Sequence, residues 1–286
     1  MSNAPRPRVP LVVVGMACRL LAAAPALADP IDQAFHRMYN FDFPGTYAIL
    51  DAQQRQDPSC ALVYSVRAVA LMFSELHRMG ILETEFFVSD DQVTGVKLKA
   101  DPQVRERLFA NTAEARRLAG ARLAAGPGGH SDDRDAMVAM CMAAGVETDY
   151  TILVEKRYFR SFWLSRQSQL YARELLALDP PVYDAHLTLG MVEYVVGSMN
   201  PFFRLFVHFD QIKGSRQQGA EHLKLVAERG RYYPPMARIL LAVIYLRDKR
   251  PEAALPLLTD LAREYPENPL LQREAAHAKK LVEAHR

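Results

Sequence analysis

Residues 235–268 read PMARILLAVIYLRDKRPEAALPLLTDLAREYPEN, and the spacing of apolar residues in this stretch decides the fold class. Leu255, Leu258, Leu261 and Ala262 recur at the intervals that bring side chains to one side of an α-helix. An apolar run from Pro235 to Leu246 precedes them, and the polar link Arg247-Asp248-Lys249-Arg250 separates the two. Tyr245 closes the first helix, Ala254 is a small residue where two helices can cross, and Leu258 and Leu261 face inward. Pro266 ends the unit, because proline lacks an N–H and drives the residue before it out of the α region. The stretch therefore holds a helix, a turn and a second helix within 34 residues.

The same punctuation recurs at Asp57-Pro58 and Asp179-Pro180, each an expected stop between helices. Beyond the second stop, LALDPPVYDAHLTLGMVEY places Leu189 beside Gly190, a large and small pair in which the glycine lets a neighbouring helix approach. Upstream, DFPGTYAILDAQQRQDPSCALVYSVRAVAL carries Leu50, Pro58, Tyr64 and Ala68 in matching places, with Arg67 and Gln53 departing from the pattern. Strand-like alternation is scarce, so the expected fold is all-α. These units resemble the tetratricopeptide repeat, whose period is 34 residues. The part from about Asp179 to Pro269 is similar to the second half of the tetratricopeptide repeat protein 39 and Iml2-like group and to exported bacterial helical-repeat proteins, on DPPVYDAHLTLG, GSRQQGAEHLKLVAERG and RPEAALPLLTDLAREYPENP.

That resemblance implies an α-α superhelix whose first helices line a concave face that accepts protein or peptide segments. Carried over by position, the lining residues would be His186, Leu187, Met191 and Tyr194 in one repeat, and Arg238, Ile239 and Arg247 in the last complete one. The stops are not spaced at multiples of the period, so insertions are expected at about 73–135 and 198–214 within a single domain spanning 29–286.

Residues 1–28 have the layout of a secretory signal: Arg6 and Arg8, an apolar run from Val9 to Cys18, and Ala26-Leu27-Ala28 before Asp29. Cleavage after Ala28 and a periplasmic or secreted product are the expectation. No later stretch reads as long and uncharged enough to span a bilayer. Cys60 and Cys141 sit inside apolar helical patterns and read as buried thiols.

The chain has 286 residues, 50% hydrophobic and 24% charged, enough to bury a large core. Its 35 basic and 33 acidic residues leave no electrostatic excess for phosphate, so nucleic acid is not an expected partner. There is no P-loop, G-x-S-x-G elbow, H-E-x-x-H or C-x-x-C, and no cofactor is expected. Gly126-Pro127-Gly128-Gly129 reads as a linker. The run His130-Ser131-Asp132-Asp133-Arg134-Asp135 fits a capped helix start better than a cation loop, since carboxylates complement the positive end of the helix dipole.

His186 and Glu193 lie two turns apart and could share a helix face, the basis of an alternative reading as an enzyme with an α-helical pocket. A weaker alternative is a peripheral membrane protein attached through Phe202, Phe203, Phe206 and Phe209. Tyr158, Phe159, Phe162 and Trp163 among arginines read as packing. The preferred reading is a non-catalytic helical-repeat scaffold that binds a protein or peptide, with membrane association not expected.

Overall fold

The computed structural model describes residues 29–82, 99–126, 130–198 and 214–284, with the backbone alone described for 130–132, 158, 159 and 162. The leader 1–28, the glycine-rich 127–129, the aromatic segment 202–209 and most of the expected insertion at 198–214 lie outside these residues, as do the side chains of Ser131, Asp132, Tyr158, Phe159 and Phe162.

Helices follow one another without strands among the described residues: α1 (Pro30–Tyr39), α2 (Phe43–Gln56), α3 (Ala61–Arg78), α4 (Pro102–Ala124), α5 (His130–Leu153), α6 (Tyr158–Leu176), a 3₁₀ turn (Tyr183–Ala185), α7 (His186–Ser198), α8 (Arg216–Arg229), α9 (Pro234–Arg247), α10 (Pro251–Glu264) and α11 (Pro269–Ala284). Packing runs mostly between neighbours in sequence, with α3 also resting on α5. The chain is all-α, as the apolar spacing predicts.

The expected stops fall between helices: α2 ends before Asp57, α6 before Asp179 and α10 before Tyr265. Other Asp-Pro pairs act in the opposite sense. Asp29 caps α1 by accepting the Ile31 N–H at 2.8 Å, and Asp101 caps α4 by accepting that of Gln103 at 2.8 Å. In both, the proline that follows occupies the first turn, where its missing N–H leaves no helical bond unmade. The stretch 235–268 forms α9, a turn and α10. Leu258 and Leu261 are fully buried there, and each such leucine contributes on the order of 2 kcal/mol.

Helix α4, inside the stretch read as an insertion, packs between α3 and α5. Three ion pairs fix its direction: Arg105 with Glu155 at 2.6 Å, Arg116 with Glu147 at 2.9 Å, and Arg122 with Asp133 at 2.9 Å. Numbers rise along one helix as they fall along the other, so α4 and α5 are antiparallel. At the head of α4, buried Glu75 accepts from the Asp101 N–H at 2.7 Å while bonding Arg78, which ties the end of α3 to the start of α4.

One expectation is corrected. The expectation that no stretch beyond residue 28 is long and uncharged enough to span a bilayer fails at Asp133–Leu153 of α5, which is long and apolar enough by length and composition. Its most apolar 18-residue window is 61% buried inside the protein, where α3, α4 and α6 pack against the helix.

Helix α1 returns to the far end of the chain. The Tyr39 hydroxyl donates to the Tyr232 carbonyl at 3.2 Å, and Asn268 Nδ2 donates to the Tyr39 carbonyl at 2.8 Å. Arg231 bridges Asp29 at 2.7 Å and Asp32 at 2.9 Å. Phe35 stacks on Tyr232 at 5.1 Å between ring centres. The principal core consequently includes Tyr232, Leu261 and Tyr265 alongside α1 to α6.

Candidate functional site

Two features of the C-terminal half hold some of the sequence-predicted residues: a seam between α7 and α8, and a cleft over α9. The seam is built on glycine. A Cβ at Gly190 would stand 3.0 Å from the Gly219 carbonyl oxygen, and one at Gly219 would stand 2.7 Å from the Tyr194 nitrogen. Side chains cannot fit at either point, so the two backbones lie against each other.

Across this seam His186 meets His222, with 2.7 Å between their Nδ1 atoms and 4.8 Å between ring centres. At that distance one Nδ1 carries the proton and the other accepts it. Both rings are half-buried, and burial lowers the pKa of each, with the neighbouring ring adding to the effect on His186. The Tyr183 ring stands 6.1 Å from His186, and the Arg229 guanidinium lies over Tyr183 at 5.2 Å.

Glu193 does face the same way as His186, since seven residues at about 100° each nearly complete two turns. The structure nevertheless gives the two different partners. Glu193 Oε2 accepts from the Ser215 N–H at 2.9 Å, just before α8. His186 is joined to His222, a residue whose role sequence spacing did not indicate. Tyr194 is 7% exposed and belongs to the packing between α8 and α9, so it does not line an accessible face. Leu187 packs on the same cluster, and Met191 is half-buried.

On the other side of α8 an open cleft of about 400 Å³ lies among α8, α9 and α10. Leu241, Tyr245, Pro256 and Leu257 supply apolar surface, and Lys224, Glu228 and Arg238 supply charge. Arg238 also holds Glu264 at 2.6 Å. Of the seven expected groove residues only Arg238 lines this cleft. Ile239 turns toward the principal core, and Arg247 lies half-buried at the end of α9. Nine residues separate Arg247 from Arg238, which at about 100° each places it half a turn away. Leu241 and Tyr245 share the Arg238 stripe, and that periodicity is the signal that would have found them.

Asp184 holds the loop that starts α9. It is 7% exposed, and its carboxylate accepts the N–H groups of Arg231, Tyr232 and Tyr233, each at 2.8 Å. Burial pushes its pKa above the usual carboxylate range, and the three donors oppose that rise. Cys141 is buried beside Thr188, and burial raises its thiol to about 11, an unreactive state at neutral pH. No group of three or more His, Cys, Asp or Glu side chains suited to a metal ion occurs among the described residues.

Comparison of the chain with protein-family models, curated proteins and solved structures returns no match.

Proposed function

We propose that this protein is a non-catalytic helical-repeat scaffold of the tetratricopeptide type, an α-α superhelix that works outside the cytoplasm and binds a protein or peptide segment. The observation that carries the reading is the cleft over α9, open to solvent, with apolar side chains at Tyr245, Pro256 and Leu257 and charges at its edge. Such a surface suits an extended or helical segment that buries a few apolar side chains and places polar groups at the rim. The preference over an acid-base enzyme is supported by the partners of His186 and Glu193, which are His222 and the Ser215 N–H respectively.

The test begins with peptides selected from a displayed random library against the full chain. Binding of the selected peptides is then measured by fluorescence anisotropy for the wild type and for Tyr245→Ala and Arg238→Glu. The reading expects both substitutions to weaken binding by about tenfold or more, as truncation of a central aromatic anchor does. Peptides that bind both variants as tightly as the wild type would place recognition elsewhere and sink the cleft as the binding surface.

A further inference from the structure

We propose that the His186–His222 contact is a proton-operated latch that holds α7 against α8 and releases it in acid. The argument starts from the contact itself. With 2.7 Å between the two Nδ1 atoms, the pair has room for one proton between them. The neutral pair and the singly charged pair each keep one donor facing one acceptor. A second proton sets two N–H donors and two positive charges head to head, and the contact cannot persist.

The surrounding helices leave no slack to absorb that repulsion. A Cβ at Gly190 would sit 2.9 Å from the His222 Cβ, so the base of the His222 side chain is pressed against the α7 backbone. Gly219 and Gly197 hold the same close approach farther along, where an added Cβ would meet Tyr194 N at 2.7 Å and Arg216 N at 2.6 Å. The rings can part only by leaving the seam or by the helices separating.

The charges around the pair offer little to offset a second proton. From α7, Glu193 acts on His222 and is itself engaged with the Ser215 N–H. From the 3₁₀ turn, Tyr183 faces His186, and Arg229 of α8 lies over that tyrosine as a further positive charge. Helix α6 brings the Ser168 hydroxyl to Thr188, two residues beyond His186, and α9 directs Arg238 to Glu264. Burial works in the same direction, lowering the proton affinity of both rings.

Helix α8 carries His222 and, within the next two turns, Lys224, Ala227 and Glu228 of the cleft wall. If the cleft is the binding surface, as proposed above, release of the latch would loosen that wall in acid. The latch itself does not depend on that reading, and its test uses no partner.

Hydrogen exchange of the full chain is measured by mass spectrometry at pH 7.5 and pH 5, each corrected for the intrinsic exchange rate. Peptides from α7 and α8 are compared with peptides from α4 and α5. The latch expects seam amides to exchange up to about tenfold faster per pH unit as pH falls below the ordinary histidine value of about 6.5, where the parted rings take up the second proton that the closed pair refuses, with α4 and α5 unchanged. His222→Asn keeps a hydrogen-bonding atom near the Nδ1 position and cannot become charged, so its seam should respond to acid no more than the control helices do. A wild-type seam that is no more acid-sensitive than α4 and α5 overturns the proposal, as does an undiminished response in His222→Asn. Should that variant not fold, His186→Asn takes its place. Should neither fold, the imidazole nitrogen resonances of the wild type decide: a shared titration supports the latch, and two independent ones at the ordinary histidine value refute it.

Discussion

Gly219→Ala and Gly120→Ala make the same chemical change inside a helix and should move stability in opposite directions. Alanine is favoured over glycine in a helix by about 1 kcal/mol, because the unfolded chain has less freedom to lose. At Gly120, in α4, a new Cβ meets no atom within 4 Å, so that gain is realised in full. At Gly219 the Cβ would stand 2.7 Å from Tyr194 N and 2.8 Å from the Gly190 carbonyl oxygen. Both obstacles are backbone, so no rotamer change relieves them and α7 and α8 must move apart along the seam. Overpacking costs about 1–3 kcal/mol, and two backbone obstacles place this site at the upper end. Subtracting the intrinsic gain leaves a net loss of about 2 kcal/mol. For a chain of this size, Gly219→Ala should therefore lower the Tm by roughly 4–8 °C and Gly120→Ala should raise it by roughly 2–4 °C. Thermal melts followed by far-UV circular dichroism measure both. A Gly219→Ala protein that melts at or above the wild type would falsify the close approach of the two helices.

Two further substitutions probe buried carboxylates that organise the ends of helices. Asp184→Asn keeps the side-chain shape but removes one of the two acceptor oxygens that hold the Arg231, Tyr232 and Tyr233 N–H groups, and should cost about 2 kcal/mol in urea unfolding. Wild-type stability in that variant would mean that the start of α9 is held by other contacts. Glu75→Gln tests a pH dependence. Burial raises the Glu75 pKa, but the Arg78 bond and the Asp101 N–H outweigh it and hold the group below its ordinary value. A carboxyl with a lower pKa when folded gives its full stabilisation above the unfolded value, about 4.3, and loses it as pH falls through the folded one. Urea unfolding should show a deficit of about 2 kcal/mol for Glu75→Gln at pH 7 that narrows as pH falls below about 4.3. A deficit that stays constant over that range contradicts the assignment.

Apolar spacing made the helices legible, because a helix brings Leu255, Leu258 and Leu261 to one side, whereas a strand would send Leu258 to the opposite face. The sense of an Asp-Pro pair was less legible. At Asp57-Pro58 proline follows a finished helix, whereas at Asp101-Pro102 the same dipeptide opens one, with the Asp101 carboxylate on the Gln103 N–H. The local chemistry suits both roles, and the helical spacing of Val104 and Leu108 beyond Pro102 breaks the tie. Docking of α1 on the 230s and 260s had no local signal at all. The partners of Tyr39 and Asp29 lie about two hundred residues away in sequence, and only tertiary packing brings them together.

The α7–α8 seam marks the boundary of what periodicity can tell. It placed His186 and Glu193 on one face of α7, and the structure keeps them there. It could not say which surface that face meets. A concave binding face and a helix contact both favour an uninterrupted stripe along one side, so the stripe alone fits either. The glycines separate the two. A face presented to a partner gains contact area from side chains, whereas a face that must admit another helix at backbone distance requires their absence. Gly190 and Gly197 on α7 stand opposite Gly219 on α8 and Ser215 just before it, and this matched pattern of small residues identifies a closed contact. Helix α9 shows the converse: Arg238 and Tyr245 on one side of it carry large side chains, and both line the open cleft.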